Sequence, residues 1–345
     1  MPISKDSEVA VIIPHYNGES ILEDCLASLQ ENTIIPVKVI LIDNGSTDNS
    51  IAMVESKFPE VEIHCMQKNL GFAGGCNAGI KKANTPYVLV LNNDTVHKQG
   101  WVKYLLQRLK SSPKIAAVQP KLLSYQYEGK FDYSGAAGGE MDIFGFPFAR
   151  GRLFEDIEKD THQYEDDCNI FWASGTAFLA RREVLLDAGL FDEDFFAHME
   201  EIDLDWRLHL LNYRIVVEPK AVIWHRSGYT LGANTFLKKY LNHRNSLYMV
   251  ASNYKLFTTL YLLSIRLVLD WLSVISSIFK GDIQRSGAII KAHFWLLFHP
   301  HKILKKRRRV KVLRKIGDFQ LMEKLYKGSV ALMYYLFNKK SYQDL

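Results

Sequence analysis

The chain has 345 residues, 48% hydrophobic and 23% charged, with a formal net charge of +5. That balance excludes a disordered polypeptide and leaves room for one large domain with an appendage, or two domains. Its four cysteines, Cys25, Cys65, Cys76 and Cys168, form no C-x-x-C pair, so they are expected as thiols of a reducing compartment.

The first residues carry no apolar signal-peptide core, so the cytoplasmic side is the expected place of action. Residues 9–13 are an apolar run ended by Pro14, which predicts a buried strand followed by a loop over residues 14–18. Ser20 can cap a helix through about Gln30 whose apolar face carries Ile21, Leu22, Cys25, Leu26 and Leu29. Residues 37–42 predict a second strand, closed by the polar segment Asp43-Asn-Gly-Ser-Thr-Asp48. A third strand is expected over residues 61–66, and the Gly-rich segment 69–79 opens a third helix. Residues 87–91 predict a fourth strand, which stops at Asn92, Asn93 and Asp94. Small polar side chains at the end of a buried strand are costly unless something there needs oxygen ligands. Asp94 is therefore a candidate metal ligand facing a bound phosphate. A turn with a helix N-cap is the competing explanation.

Strands alternating with helices predict a parallel sheet with right-handed crossovers, and the polar loops all fall at one end, where nucleotides bind. The glycines at 71, 74 and 75 do not fit G-x-G-x-x-G and follow the third strand, which disfavours a dinucleotide oxidoreductase. No phosphate-binding G-x-x-x-x-G-K-[ST] occurs. A sugar-nucleotide pyrophosphorylase would need a basic Gly-rich loop after the first strand, and Pro14-His-Tyr-Asn-Gly18 is not one.

Taken in order, these segments resemble a family 2 glycosyltransferase, nearest the bacterial rhamnosyltransferase-like branch that builds cell-surface polysaccharides. The resemblance runs over residues 9–250. It implies an α/β chain with a GT-A nucleotide-diphospho-sugar transferase fold: a mostly parallel, Rossmann-like sheet flanked by helices over residues 1–250. A helical, basic, membrane-associating extension then covers residues 251–345. It further implies that Asp43 accepts from the base ring and that Pro14 and Tyr16 line the base pocket. Gly71 would let backbone approach the nucleotide closely. Asn77, Asn92 and Asn93 are expected on the nucleotide-sugar side.

Residues 121–163 are rich in glycine and aromatics and predict loops and short strands over the acceptor side. Trp172 reads either as a wall of a sugar pocket or as a core tryptophan. Glu200, Glu201, Asp203 and Asp205 place four carboxylates in six residues. On a helix, Asp203 and Arg207 stand one turn apart and can pair, and acids suit the helix start. The family pattern here is Glu-Asp-x-Asp with the second acid as catalytic base, which falls on Glu201. Glutamate in place of aspartate leaves Glu200 and Glu201 as alternatives for reaching the acceptor. Glu200, Asp203 and Trp172 are expected on the acceptor side. His225 ends an apolar run, where a lone histidine is usually structural. The resemblance makes it a metal ligand with Asp94. Residues 227–232 are expected to close over the diphosphate, and residues 240–248, with Arg244 and Asn245, resemble the family's closing helix.

Residues 256–279 are apolar and long enough to span a bilayer, but Arg266 and Asp270 lie within them. Charges at a membrane centre are expensive, so an interfacial or re-entrant helix is expected. The basic run 302–315 beside it suits an anionic cytoplasmic leaflet. A helical hairpin buried in an oligomer is the alternative, and nothing in the run is arranged to read nucleic acid.

The implied reaction moves a sugar from a dTDP- or UDP-sugar to a hydroxyl of a glycan or lipid-linked acceptor. It is an inverting single displacement with Mn2+ or Mg2+ as cofactor. A non-catalytic GT-A scaffold that tethers an assembly complex to the membrane is the second reading.

Overall fold

The computed structural model describes residues 7–226 and 235–345. The expected closing loop, residues 227–232, lies outside the described residues. The first half alternates as expected: β1 (Val9–His15), α1 (Glu19–Asn32), β2 (Lys38–Asp43), α2 (Ser50–Lys57), β3 (Glu62–Cys65), α3 (Gly71–Lys82) and β4 (Tyr87–Leu91). Two local expectations shift. β1 continues through Pro14 to His15, because Pro14 lies beyond the last pairing with β4, at Ile12 and Val90. α1 is capped by Gly18 at φ 101 and not by Ser20. Only glycine enters that region without strain, so the chain turns from strand to helix there.

The middle of the chain adds β5 (Thr95–His97), α4 (Trp101–Lys110), β6 (Ile115–Ser124), β7 (Gly139–Met141), β8 (Pro147–Ala149), β9 (Arg152–Leu153), β10 (Asp156–Ile157) and β11 (Asn169–Ile170). Then follow β12 (Ala177–Arg181), α5 (Arg182–Asp187), α6 (Glu200–Leu210) and β13 (Arg214–His225). The main sheet runs β11-β13-β6-β12-β4-β1-β2-β3, with β5 paired to β13. The half formed by β4-β1-β2-β3 is parallel. Beyond β4 the sheet is mixed, because β12 runs antiparallel to both β4 and β6. Strands β7 to β10 form a separate antiparallel sheet.

Both faces of the main sheet are covered, which explains the unbroken apolar runs of β1, β2 and β4. Leu22, Met53 and Trp101 bring α1, α2 and α4 to one face. Cys76, Leu185 and Leu204 bring α3, α5 and α6 to the other.

The C-terminal layer is helical: α7 (Phe236–Asn253), α8 (Leu256–Phe279), α9 (Ile283–Phe298), α10 (Pro300–Leu313), α11 (Asp318–Met322) and α12 (Val330–Tyr335). α8 is long and apolar enough to cross a membrane. Its two charges, however, face the protein. Arg266 Nε bonds Asp270 Oδ1 at 3.0 Å, and Arg266 also donates to Phe144 O at 2.8 Å and Ser246 Oγ at 2.9 Å. Both residues are 1% exposed. The opposite face presents Phe257, Leu260, Tyr261, Leu272 and Phe279 to solvent. The basic run is two-sided as well. Lys306 is buried, whereas Lys305, Arg308, Arg309, Lys311 and Lys315 are exposed.

Candidate functional site

The loops after β1 and β2 are laced together at the carboxyl end of the parallel half. Asn17 N donates to Ser46 Oγ at 2.9 Å, Thr47 N to Asn17 Oδ1 at 2.8 Å, and Gly18 N to Asp48 Oδ2 at 2.7 Å. Asp43 is buried there, and one of its oxygens accepts from Ser46 N at 3.0 Å. Tyr16 stands on the rim, half exposed. Pro14 and Asn44 close the floor: a Cβ on Gly75 would lie 3.0 Å from each. Gly71 has φ 69, and a Cβ there would lie 3.1 Å from Phe196 O. Backbone approaches this close need glycine.

Asp94 follows β4 by three residues and meets His225 because β5 pairs with β13 in the register Thr95↔His225. Asp94 Oδ1 is buried, and His225 Nε2 lies 3.2 Å from it. The other ring nitrogen, Nδ1, is 3.0 Å from Asp132 Oδ1. Burial works against a charged imidazole, but Asp94 and Asp132 outweigh it and push the His225 pKa up to about 10. A buried carboxylate oxygen facing an imidazole whose far nitrogen rests on a second carboxylate is a donor set that fits a divalent cation, which would take the place of the ring's Nε2 proton. Asp132 is the residue the sequence did not reveal, since it lies 93 positions from its partner. Neighbouring Asn93 bonds His15 through Nδ2 and Nδ1 at 2.7 Å. Asn92 N donates to Thr176 O at 2.9 Å.

That last bond links the β4 end to the acidic helix. Gly175 precedes Thr176, and a Cβ on Gly175 would lie 3.9 Å from Glu201 Cβ. Glu201 therefore stands at the same end of the sheet as Asp94, in the first turn of α6. It is partly buried, and burial pushes its pKa up to about 7. Glu200 beside it is 5% exposed, and its Oε2 has no hydrogen-bond partner. Burial first, and the Glu201 charge second, hold the Glu200 carboxyl well above the usual range. The two act as a pair that resists losing both protons.

Three expected site residues are placed elsewhere. Asn77 spends its amide on the chain: Nδ2 donates to Phe191 O at 3.0 Å and Glu193 Oε1 at 3.1 Å, and Oδ1 accepts from Phe191 N at 3.0 Å. It fastens the 191–193 segment to α3 instead of facing a nucleotide. Trp172 is 3% exposed, packs on Gly139 and donates to Glu140 O at 2.8 Å, so it is core and not a pocket wall. Asp203 is fully buried behind the site. It pairs with Arg207 at 3.0 Å and Lys306 at 2.7 Å and accepts from Asn253 at 2.8 Å. For Trp172 the core alternative holds; for Asn77 and Asp203, sequence spacing cannot tell a polar side chain aimed into a cleft from one aimed at a neighbouring element. Glu200 is likewise withdrawn from the surface that an acceptor would touch.

A second acidic cluster, Asp160, His162 and Glu165, is already filled by Lys121 Nζ, at 2.9 Å from Asp160 and 2.5 Å from Glu165.

The family model described as Glycosyl transferase family 2 matches residues 10–188, which hold β1 to β4, the Asp94 turn and β12. The chain belongs to glycosyl transferase family 2. Among curated relatives, this family 2 chain is similar to a poly-beta-1,6-N-acetyl-D-glucosamine synthase of Staphylococcus aureus (strain COL). The two are 27% identical over 231 residues, 65% of this chain and 51% of that protein. The chain thus spans about half the length of the curated relatives it matches. Two solved structures share the fold. GalNAc-T7 with UDP, GalNAc and Mn2+ has a TM-score of 0.56 at 14% identity, covering 72% of this chain and 48% of that one. S. aureus TarS 1-349 in complex with UDP has a TM-score of 0.53 at 15% identity, covering 95% and 91%. The GT-A fold of this family 2 chain follows from these likenesses and from the sheet order.

Proposed function

We propose that the protein is an inverting glycosyltransferase that moves a sugar from a dTDP- or UDP-sugar to a hydroxyl of a glycan or lipid-linked saccharide. The observation that carries this reading is that Glu201 and the Asp94–His225 pair lie at the same end of one sheet, joined through Thr176 and Asn92. Asp94 and His225 would hold Mn2+ or Mg2+, the imidazole favouring Mn2+. Bound there, the cation would offset as a Lewis acid the negative charge that grows on the leaving diphosphate.

The chain's own residues supply the rest. Asp43, in the laced loops, accepts from the base ring, while Pro14 and Tyr16 flank it. Gly71 lets the protein backbone approach the nucleotide closely, and Asn92 and Asn93 edge the sugar. Glu201 takes the proton from the acceptor hydroxyl as that oxygen attacks the anomeric carbon and the diphosphate leaves from the opposite face. One displacement inverts the anomeric centre. A carboxyl with a pKa of about 7 holds the proton strongly enough to act as a base near neutral pH. A rhamnosyl donor is the finer expectation from the sequence.

The cytoplasmic membrane surface is the proposed place of work. Arg266 and Asp270 on the inner face of α8 argue against a clean span, while its exposed apolar face and the exposed half of the basic run suit an anionic leaflet. Flotation with anionic and with neutral vesicles tests this, and equal failure to bind both would refute it. A thermal-shift screen of nucleoside diphosphate sugars, with and without Mn2+, tests the donor reading. Stabilisation by a sugar nucleotide only when Mn2+ is present is the expected result, and no stabilisation by any donor is the result against it.

A further inference from the structure

The segment that delivers Glu201 is strained. Phe196 sits at φ 66 and ψ −58, the centre of a γ-turn closed by Ala197 N donating to Phe195 O at 2.8 Å. This turn is rare for a residue that carries a side chain. His198 at φ 67 and Met199 at φ 71 follow it. Three of the four residues before Glu200 therefore hold backbone conformations that L-residues avoid. Met199 O accepts from Asp203 N at 2.9 Å, so α6 grows directly out of the strained segment. A change in the turn would swing the first turn of α6, and Glu201 with it.

What holds the turn comes from another element. Asn245 on α7 directs Nδ2 at the carbonyls of Phe195, Ala197 and His198, at 3.1, 2.8 and 2.7 Å. Its neighbour Arg244 donates to Asp194 O at 2.7 Å and to Phe195 O at 3.0 Å. Asn245 is fully buried, so water cannot stand in for its donors. The other side of the turn is also fixed, since Phe196 O lies against Gly71 at the start of α3. The turn is thus wedged between the nucleotide loop and α7.

We propose that Asn245 is a positioning residue for sugar transfer: it clamps the 195–199 turn and thereby aims the Glu201 carboxylate. The inference rests on Glu201 being the base. Its neighbours divide the work, with Arg244 securing the start of the turn and Asn245 its middle and end.

The test measures nucleoside diphosphate release, with water as acceptor, from whichever donor sugar gives the largest thermal shift. Asn245→Ala should lower kcat about tenfold or more, since small misplacement of a reacting group is costly. The donor KM should stay within about twofold. In a Glu201→Gln background, adding Asn245→Ala should change the rate by less than about twofold, because a residue that acts only through Glu201 has nothing left to aim. Arg244→Lys keeps the charge but loses the forked donor pair, and it should show the same dependence on Glu201 at smaller amplitude. It carries the comparison if Asn245→Ala does not fold. Equal loss in both backgrounds, or a lower melting temperature with unchanged kcat, would overturn the proposal. A Glu201→Gln enzyme with near-normal turnover would instead sink the base assignment itself, so the two failures are distinguishable.

Discussion

His225 Nε2 stands 3.2 Å from Asp94 Oδ1, a buried carboxylate oxygen, while the far side of the same ring rests on Asp132. Such an arrangement leaves one carboxylate oxygen and one imidazole nitrogen converging on the same point. In the proposed function it would let a turn with a single anionic residue, Asn92-Asn93-Asp94, serve a cation.

Asp94→Asn and His225→Ala should each abolish the stabilisation that Mn2+ adds to donor binding. At a donor concentration about a hundredfold above Kd, the wild-type shift corresponds to about 2.7 kcal/mol. The measurement is thermal denaturation with donor and Mn2+, against donor with EDTA. An undiminished Mn2+ effect in both variants would remove these residues from the metal site.

Glu201→Gln should lower kcat about a hundredfold or more while leaving donor binding intact. The wild-type pH profile follows from the carboxyl's pKa of about 7. The base works only when deprotonated, so kcat should rise with pH through about 7 and flatten above it. A profile already flat from pH 5 to 8 would contradict that assignment.

Glu200 gives a prediction about stability. Its carboxyl titrates well above the usual range in the folded chain and near 4.5 when unfolded. Above the unfolded value, the folded state therefore binds the extra proton, and stability falls as pH rises. Glu200→Gln removes this penalty. Its melting temperature should match wild type near pH 4 and exceed it near pH 8. A wild-type advantage at pH 8 would show that Glu200 is held as a stabilised anion.

Lys306 connects the C-terminal layer to α6. Its ammonium lies 2.9 Å from Asp192 and 2.7 Å from Asp203, and it is 4% exposed. Lys306→Met leaves two carboxylates without their shared cation. Breaking a buried pair costs about 3–5 kcal/mol. Urea unfolding should show a midpoint lowered accordingly, and a loss under about 1 kcal/mol would mean that Arg207 and Asn253 suffice for Asp203.

The sequence by itself determined the parallel half of the sheet, the loops at its carboxyl end, and the placing of Asp43 and Asp94 in or beside them. Local signals suffice there, because an apolar run buried on both faces must end where the chain leaves the sheet, and polar residues mark that point. It also foretold α8, whose length and composition are local properties. Only the tertiary structure decided which way polar side chains point. Asn77 turns to Phe191, Trp172 to Glu140, and Asp203 to Lys306 more than a hundred residues away. It also supplied Asp132 behind His225 and the clamp of Asn245 on the turn before Glu201. These pairings join distant parts of the chain, and their geometry exists only once the elements have packed.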